Sequence, residues 1–191
     1  MKSVLIRIRP QWVEKIASGE KTIEVRKTAP KCEVPFKAYI YCTKGKDEYE
    51  WLYRVDNNGY DKAQSWHGKV IGEFVCNELI QYNYDRYFQE YFVAGYIGAY
   101  MPLQEMCLTQ KGLFDYGRGK TLYGWHISDL KIYDKPKELS EFYRICKNPC
   151  KPSNGGILCV TTKSLKMNGC DGKIPLTHPP QSYMFVEEVE Q

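Results

Sequence analysis

The chain has 191 residues, of which 43% are hydrophobic and 26% charged, the composition of a folded globular protein and not of a disordered one. Its net charge of +4 and pI near 8.5 ease the approach of an anionic partner without requiring one. No stretch approaches the roughly 18 apolar residues of a membrane span, and the start, MKSVLIRIRP, places arginines where a signal peptide needs an apolar run. The expectation is therefore a cytoplasmic protein with no membrane association, whose eight cysteines serve as thiols or metal ligands instead of disulfides.

Residues 4 to 9 alternate Val4, Ile6 and Ile8 against Leu5, Arg7 and Arg9, which predicts a strand with one apolar face. Pro10 suits a first helical position, and Trp12, Val13, Ile16 and Ala17 then recur at helical spacing until Gly19 ends the helix. Beyond Gly19, Ile23 and Val25 alternate with Thr22, Glu24 and Arg26, so a second strand would set Glu24 and Arg26 side by side, roughly 7 Å apart on one face. Dense charge at this junction has two readings. It is a solvated strand face with a surface ion pair worth about 0–1 kcal/mol, or it is the polar floor of a cleft to which Arg7 or Arg9 and Lys21 also contribute.

Pro30 and Pro35 mark a loop before a third strand over Phe36 to Thr43, with Tyr39 and Tyr41 on one face. Between Lys44 and His67 the pattern dissolves around Asn57-Asn58-Gly59, a turn signal. Trp51, Tyr53, Tyr60 and Trp66 are interleaved there with Lys44, Lys46, Arg54, Lys62 and Lys69. Such a mixture can stack bases and neutralise phosphates, or simply fold its aromatics onto the body of the domain. Gly68 to Cys76 reads as a strand with Val70, Phe74 and Cys76 on one face and Glu73, an exposed residue or a catalytic carboxylate, on the other.

Tyr84, Tyr87, Phe88, Tyr91 and Phe92 recur at helical spacing and predict an amphipathic helix packed through an aromatic stripe. A short helix is expected over Leu103 to Met106 or, after a Thr109 cap, over Thr109 to Tyr116. Leu122 to Tyr133 reads as one long strand that Pro136 closes, His126 within it being a structural histidine, and Leu139 to Tyr143 as a brief helix. A last strand runs over Tyr183 to Glu188. Before it, Cys146, Cys150, Cys159 and Cys170 gather in a Gly-, Pro- and Lys-rich span with little apolar material. Four thiolates on a structural zinc would replace the missing core, with His178 a substitute ligand; unrelated free thiols are the alternative. No organic cofactor is expected.

Ile8-Arg9-Pro10, the helix, and Gly19-x-Lys21-Thr22-x-Glu24-x-Arg26 resemble the ASCH-domain family of PUA-like folds, and Gly68 to Glu73 resembles a further family element. The resemblance implies an α+β fold, a mostly β barrel with flanking helices, as one domain over residues 1–191. Insertions would fall at about 44–67 and 84–118, with the Cys-rich, zinc-stapled loop at 146–170. It further implies RNA or nucleotide binding beside the motif; the charged turn and the aromatics near it make Arg9, Trp12, Lys21, Thr22, Glu24, Arg26 and Tyr41 the expected ligand-binding residues. One branch of the wider family hydrolyses N4-acetylcytidine. Lys21 matches its lysine, but Glu24 stands where that branch has a threonine nucleophile, and Thr22 lies two residues early. Binding is thus the leading expectation. A hydrolase of modified nucleosides or RNA, using Lys21 and Glu24, is the second, and a zinc-stapled protein-interaction module the third.

Overall fold

The structure, a computed structural model, describes residues 1–44, 66–95, 100–146, 151–153, 156–158, 165–166 and 172–188. Alternating apolar residues build β1 (Ser3–Ile8), and Pro10, which has no N–H to leave unpaired, starts α1 (Pro10–Ala17). Gly19 leaves the helix with φ +80°, a conformation that favours glycine, and β2 (Ile23–Arg26) follows. Next come β3 (Phe36–Cys42), β4 (Val70–Cys76), β5 (Leu79–Asp85) and β6 (Glu90–Val93). Two short helices, α2 (Leu103–Met106) and α3 (Gln110–Gly117), precede β7 (Leu122–His126) and β8 (Ser128–Lys137). A 3-10 turn at Leu139–Glu141 leads to β9 (Phe142–Ile145). The rest is short strands: β10 (Lys151–Ser153), β11 (Gly156–Leu158), β12 (Leu165–Lys166), β13 (Lys173–Pro175), β14 (Tyr183–Phe185) and β15 (Glu187–Glu188).

Two sheets position the site. The first runs β14-β1-β3-β4-β8, with β1 and β3 parallel, so α1 and β2 are the crossover between them; the second runs β2-β7-β5-β6. The main core fills the space between the first sheet, α1 and the second, through Val4, Ile6, Ile8, Val13, Phe36 and Trp125. Leu5, Tyr39, Tyr41 and Phe142 form a second core on the opposite face of the first sheet. Ile23, Val25 and Tyr82 form a third with Met106 and Leu113, which fastens α2 and α3 to the second sheet. β2 is therefore covered on both faces.

The α+β class and the predominance of strand hold. Closure into a barrel does not: among the described residues β14 and β8 end one sheet and β2 and β6 the other, and no ladder joins these edges. The aromatic stripe at 84–92 is a hairpin and not a helix. Tyr84 pairs with Tyr91 across β5 and β6, the rings 5.2 Å apart, and the Asp85 carboxylate accepts from the Tyr87 and Phe88 amides at 2.7 and 3.1 Å to close the turn. Tyr87 and Phe88 consequently stand exposed at the tip. The single strand expected over Leu122 to Tyr133 divides at Ile127 between the two sheets: the Ile127 amide still donates to the Thr22 carbonyl at 2.8 Å, extending the β2–β7 ladder, and Ser128 then pairs with Val75 of β4. Pro136 lies inside β8, tolerated because β8 is an edge strand. Only Leu139–Glu141 of the expected brief helix is helical, and the closing strand splits into β14 and β15. A bulge at Ile71 moves Val70 off the face of Phe74 and Cys76 and into the second core beside Tyr41.

Trp66 is buried in the main core, whereas Trp51, Tyr53 and Tyr60 lie outside the described residues. Of the four cysteines expected to hold zinc, Cys146 is half-buried and Cys150, Cys159 and Cys170 lie outside the described residues. Among the described residues no helix is long and apolar enough to cross a membrane.

Candidate functional site

The turn after Gly19 sends Lys21 inward. Its amide donates to the Lys15 carbonyl at 2.9 Å, and the next amide, of Thr22, donates to the Glu105 carbonyl at 2.9 Å, docking the start of β2 on α2. The Lys21 ammonium then donates to the Met106 carbonyl at 2.6 Å and lies 5.2 Å from the centre of the Trp12 ring. Two residues into β2, Glu24 occupies the space between two cations: one carboxylate oxygen is 3.7 Å from Lys21 Nζ and the other 3.4 Å from Arg26 Nη1. Arg26 is also tied to the first sheet, donating from Nη1 to the Arg7 carbonyl at 3.0 Å and from Nη2 to Ser182 Oγ at 2.7 Å.

Lys21, Glu24 and Arg26 are 2%, 5% and 9% exposed, so the motif is not a solvated strand face. Burying three charges is tolerable only with compensating partners. Here the compensation is incomplete: Arg26 Nε is buried with no acceptor. Both Glu24 contacts also exceed the roughly 3.2 Å limit of a good N–H···O bond, which leaves the carboxylate with acceptor capacity to spare. Burial pushes the Lys21 ammonium below its ordinary value, with the Glu24 carboxylate acting in the opposite direction.

These residues floor a cleft of about 660 Å³ between the end of β1, β2 and α3. Arg7, Arg9, Lys21, Arg26 and Lys27 line it against only two carboxylates, Glu24 and Asp115, a surplus of three positive charges. Trp12 stands on one wall and Tyr116 on another, the latter with Lys27 Nζ 4.7 Å from its ring centre. Burial lifts the Tyr116 phenol; Arg26 and Arg9 are close enough to act against that lift.

Five of the seven expected ligand-binding residues, Arg9, Trp12, Lys21, Glu24 and Arg26, line this one cleft. Thr22 and Tyr41 do not. Thr22 serves through its backbone, and Tyr41, on the same sheet face as Leu5 and Tyr39, is buried in the second core. Lys27, Asp115, Tyr116 and Gln181 also line the cleft and have no sequence signal, except that Tyr116 lies off the buried stripe Leu113 and Gly117 of α3. Glu73 lies elsewhere, accepting from Tyr133 Oη at 2.6 Å and Lys37 Nζ at 3.0 Å, a structural network. His126 Nδ1 is satisfied by Asn77 Oδ1 at 2.8 Å, and His178 Nδ1 lies 2.9 Å from Thr177 Oγ1.

No protein-family model and no curated protein sequence matches the chain. Its structure is similar to crystal structures of ASCH from Zymomonas mobilis. One, at 20% identity and a TM-score of 0.46, covers 72% of this chain and 74% of that one. A Tyr-to-Phe variant of the same protein, at 17% identity and a TM-score of 0.48, covers 98% of this chain and 91% of that one. ASCH is also the family that the motif from Gly19 to Arg26 resembles.

Proposed function

We propose that the protein binds RNA or a nucleotide in the cleft floored by Lys21, Glu24 and Arg26. The observation that carries this reading is the cleft's surplus of three positive charges around a buried guanidinium with an unmet donor. Arg9, Arg26 and Lys27 supply charge-assisted contacts to phosphate. Glu24 fixes the two buried cations and accepts from a base amino group or a ribose hydroxyl, while Trp12 and Tyr116 offer ring faces to a base. Fluorescence-anisotropy titration with single-stranded RNA and with free nucleotides, at low and moderate salt, tests it. Phosphate contacts are strongest at low salt, so absence of binding there overturns the reading.

A second reading, hydrolysis of a modified nucleoside or of RNA, rests on Lys21 being desolvated beside Glu24, an environment that loosens the amine's hold on its proton and so favours its acting as a base. Glu24 would then be the acid or base partner. Incubation with N4-acetylcytidine and with RNA, wild type beside Lys21→Met, tests this; absence of turnover, or turnover equal in the two proteins, removes it.

A further inference from the structure

We infer that the cleft takes a terminal phosphate, that of a mononucleotide or of a phosphorylated RNA end, and not the internal backbone of a passing strand. The inference rests on the binding reading above and narrows its ligand class. The cations converge on one place: the volume of about 660 Å³ falls within the roughly 300–1,000 Å³ of small-molecule sites. A phosphodiester brings one negative charge per nucleotide, whereas a phosphomonoester carries about −1.5 to −2 at neutral pH and offers three terminal oxygens. The second matches a surplus of three better.

The surroundings point the same way. Arg26 is paired with Tyr123 and Tyr123 with Gln81, which puts these side chains on one face of the second sheet. Two residues along β5 that face continues through Asn83, opposite Phe92, and then reaches Asp85 opposite Glu90. Leading away from Arg26 along this face, the paired strand residues Tyr123, Gln81, Asn83, Phe92, Asp85 and Glu90 include no cation, unlike the basic track that a bound strand's backbone follows. On the opposite flank the buried Lys21 and its bond to the Met106 carbonyl close the floor.

The test compares cytidine with cytidine monophosphate, and one short single-stranded RNA carrying a 5′-hydroxyl, a 5′-phosphate or a 3′-phosphate, by isothermal titration at low salt. A terminal phosphate is expected to tighten binding by at least about tenfold, and lengthening the phosphorylated RNA is expected to leave the salt slope unchanged. Equal affinity with and without a terminal phosphate, or a slope that grows with length, overturns this inference and leaves the binding reading standing. Binding of none of these ligands overturns both. Arg26→Lys, which keeps a charge but removes the planar guanidinium, is expected to lose most of the preference for the phosphorylated ligands. Should that variant fail to fold, the wild-type ligand series decides alone.

Discussion

Lys21 donates its ammonium to the carbonyl oxygen of Met106 at 2.6 Å, so the turn that begins the motif strand also holds the last residue of α2. Cys107, next in the chain, takes φ +54° and turns toward α3, which carries Asp115 and Tyr116 into the cleft. Lys21 is therefore both floor and strut. Lys21→Met preserves length and bulk but leaves a buried carbonyl without its charged donor, and is expected to destabilise by about 1.5–3 kcal/mol in urea unfolding. A loss below about 0.5 kcal/mol, the range of ordinary surface substitutions, would deny the strut.

The same residue gives a pH signature. Its folded-state pKa is lowered, mainly by burial, from the ordinary 10.5, so the unfolded chain binds that proton more tightly. Keeping Lys21 charged while buried therefore costs stability below its folded pKa, offsetting part of what its bond to Met106 contributes, and that cost fades as pH rises through that value toward 10.5. Comparing wild type with Lys21→Met cancels other titrating groups, and the advantage of wild type is expected to grow with alkaline pH. A difference that is flat or shrinks over that window contradicts a desolvated ammonium.

Arg9 separates binding from folding. It is exposed, and as the residue before α1 it contributes only its carbonyl, which accepts from the Trp12 and Val13 amides; its side chain makes no cap. Arg9→Gln should leave stability within about 0.5 kcal/mol and weaken binding of single-stranded RNA, with the salt slope falling by about 0.7 for one lost phosphate contact. An unchanged slope would remove Arg9 from the contact set.

Cys42 and Cys76 are fully buried in the main core, and burial pushes both thiols up to about 12. Neither is expected to react with iodoacetamide in the native protein near neutral pH, because thiolate is the reactive form. Mass spectrometry should find both modified only after denaturation. Rapid native labelling of either would contradict the packing of β3 and β4.

What was legible in the sequence is what nearest neighbours along the chain decide. β1, α1, the Gly19 turn and β2 follow from alternation, helical spacing and a single glycine, and Thr109 caps α3 with a 3.0 Å bond from the Gly112 amide. The aromatic stripe failed because Tyr84 and Tyr91, seven apart, lie on one face of a helix and equally well face each other across a hairpin; the Asp85 turn bond decides between them. For the site, strand parity put Glu24 and Arg26 together. Their burial was not legible, since it depends on partners as distant in sequence as Ser182 and on α2 and α3 covering the other face of β2. Tyr41 was misplaced for a related reason: alternation along β3 separates its two faces but does not say which one meets the cleft.

Glu73 provides a test of the second core that leaves the cleft untouched. One of its oxygens accepts from Tyr133 Oη at 2.6 Å and the other lies 3.0 Å from Lys37 Nζ. Burial alone would raise its carboxyl, but these two partners outweigh burial and hold it below the ordinary 4.5. The folded protein thus binds this proton less tightly than the unfolded chain. The stabilisation is fully present above about pH 4.5 and is lost as pH falls through the lower folded value. Glu73→Gln keeps the shape and removes the charge, so it should cost about 1–2 kcal/mol near neutral pH. The gap between the two proteins should close in acid, where wild type has taken up the proton that opposes its network. Urea unfolding of both proteins at neutral pH and well below pH 4.5 measures this; a gap of constant size would mean that Glu73 acts through packing and not through its charge.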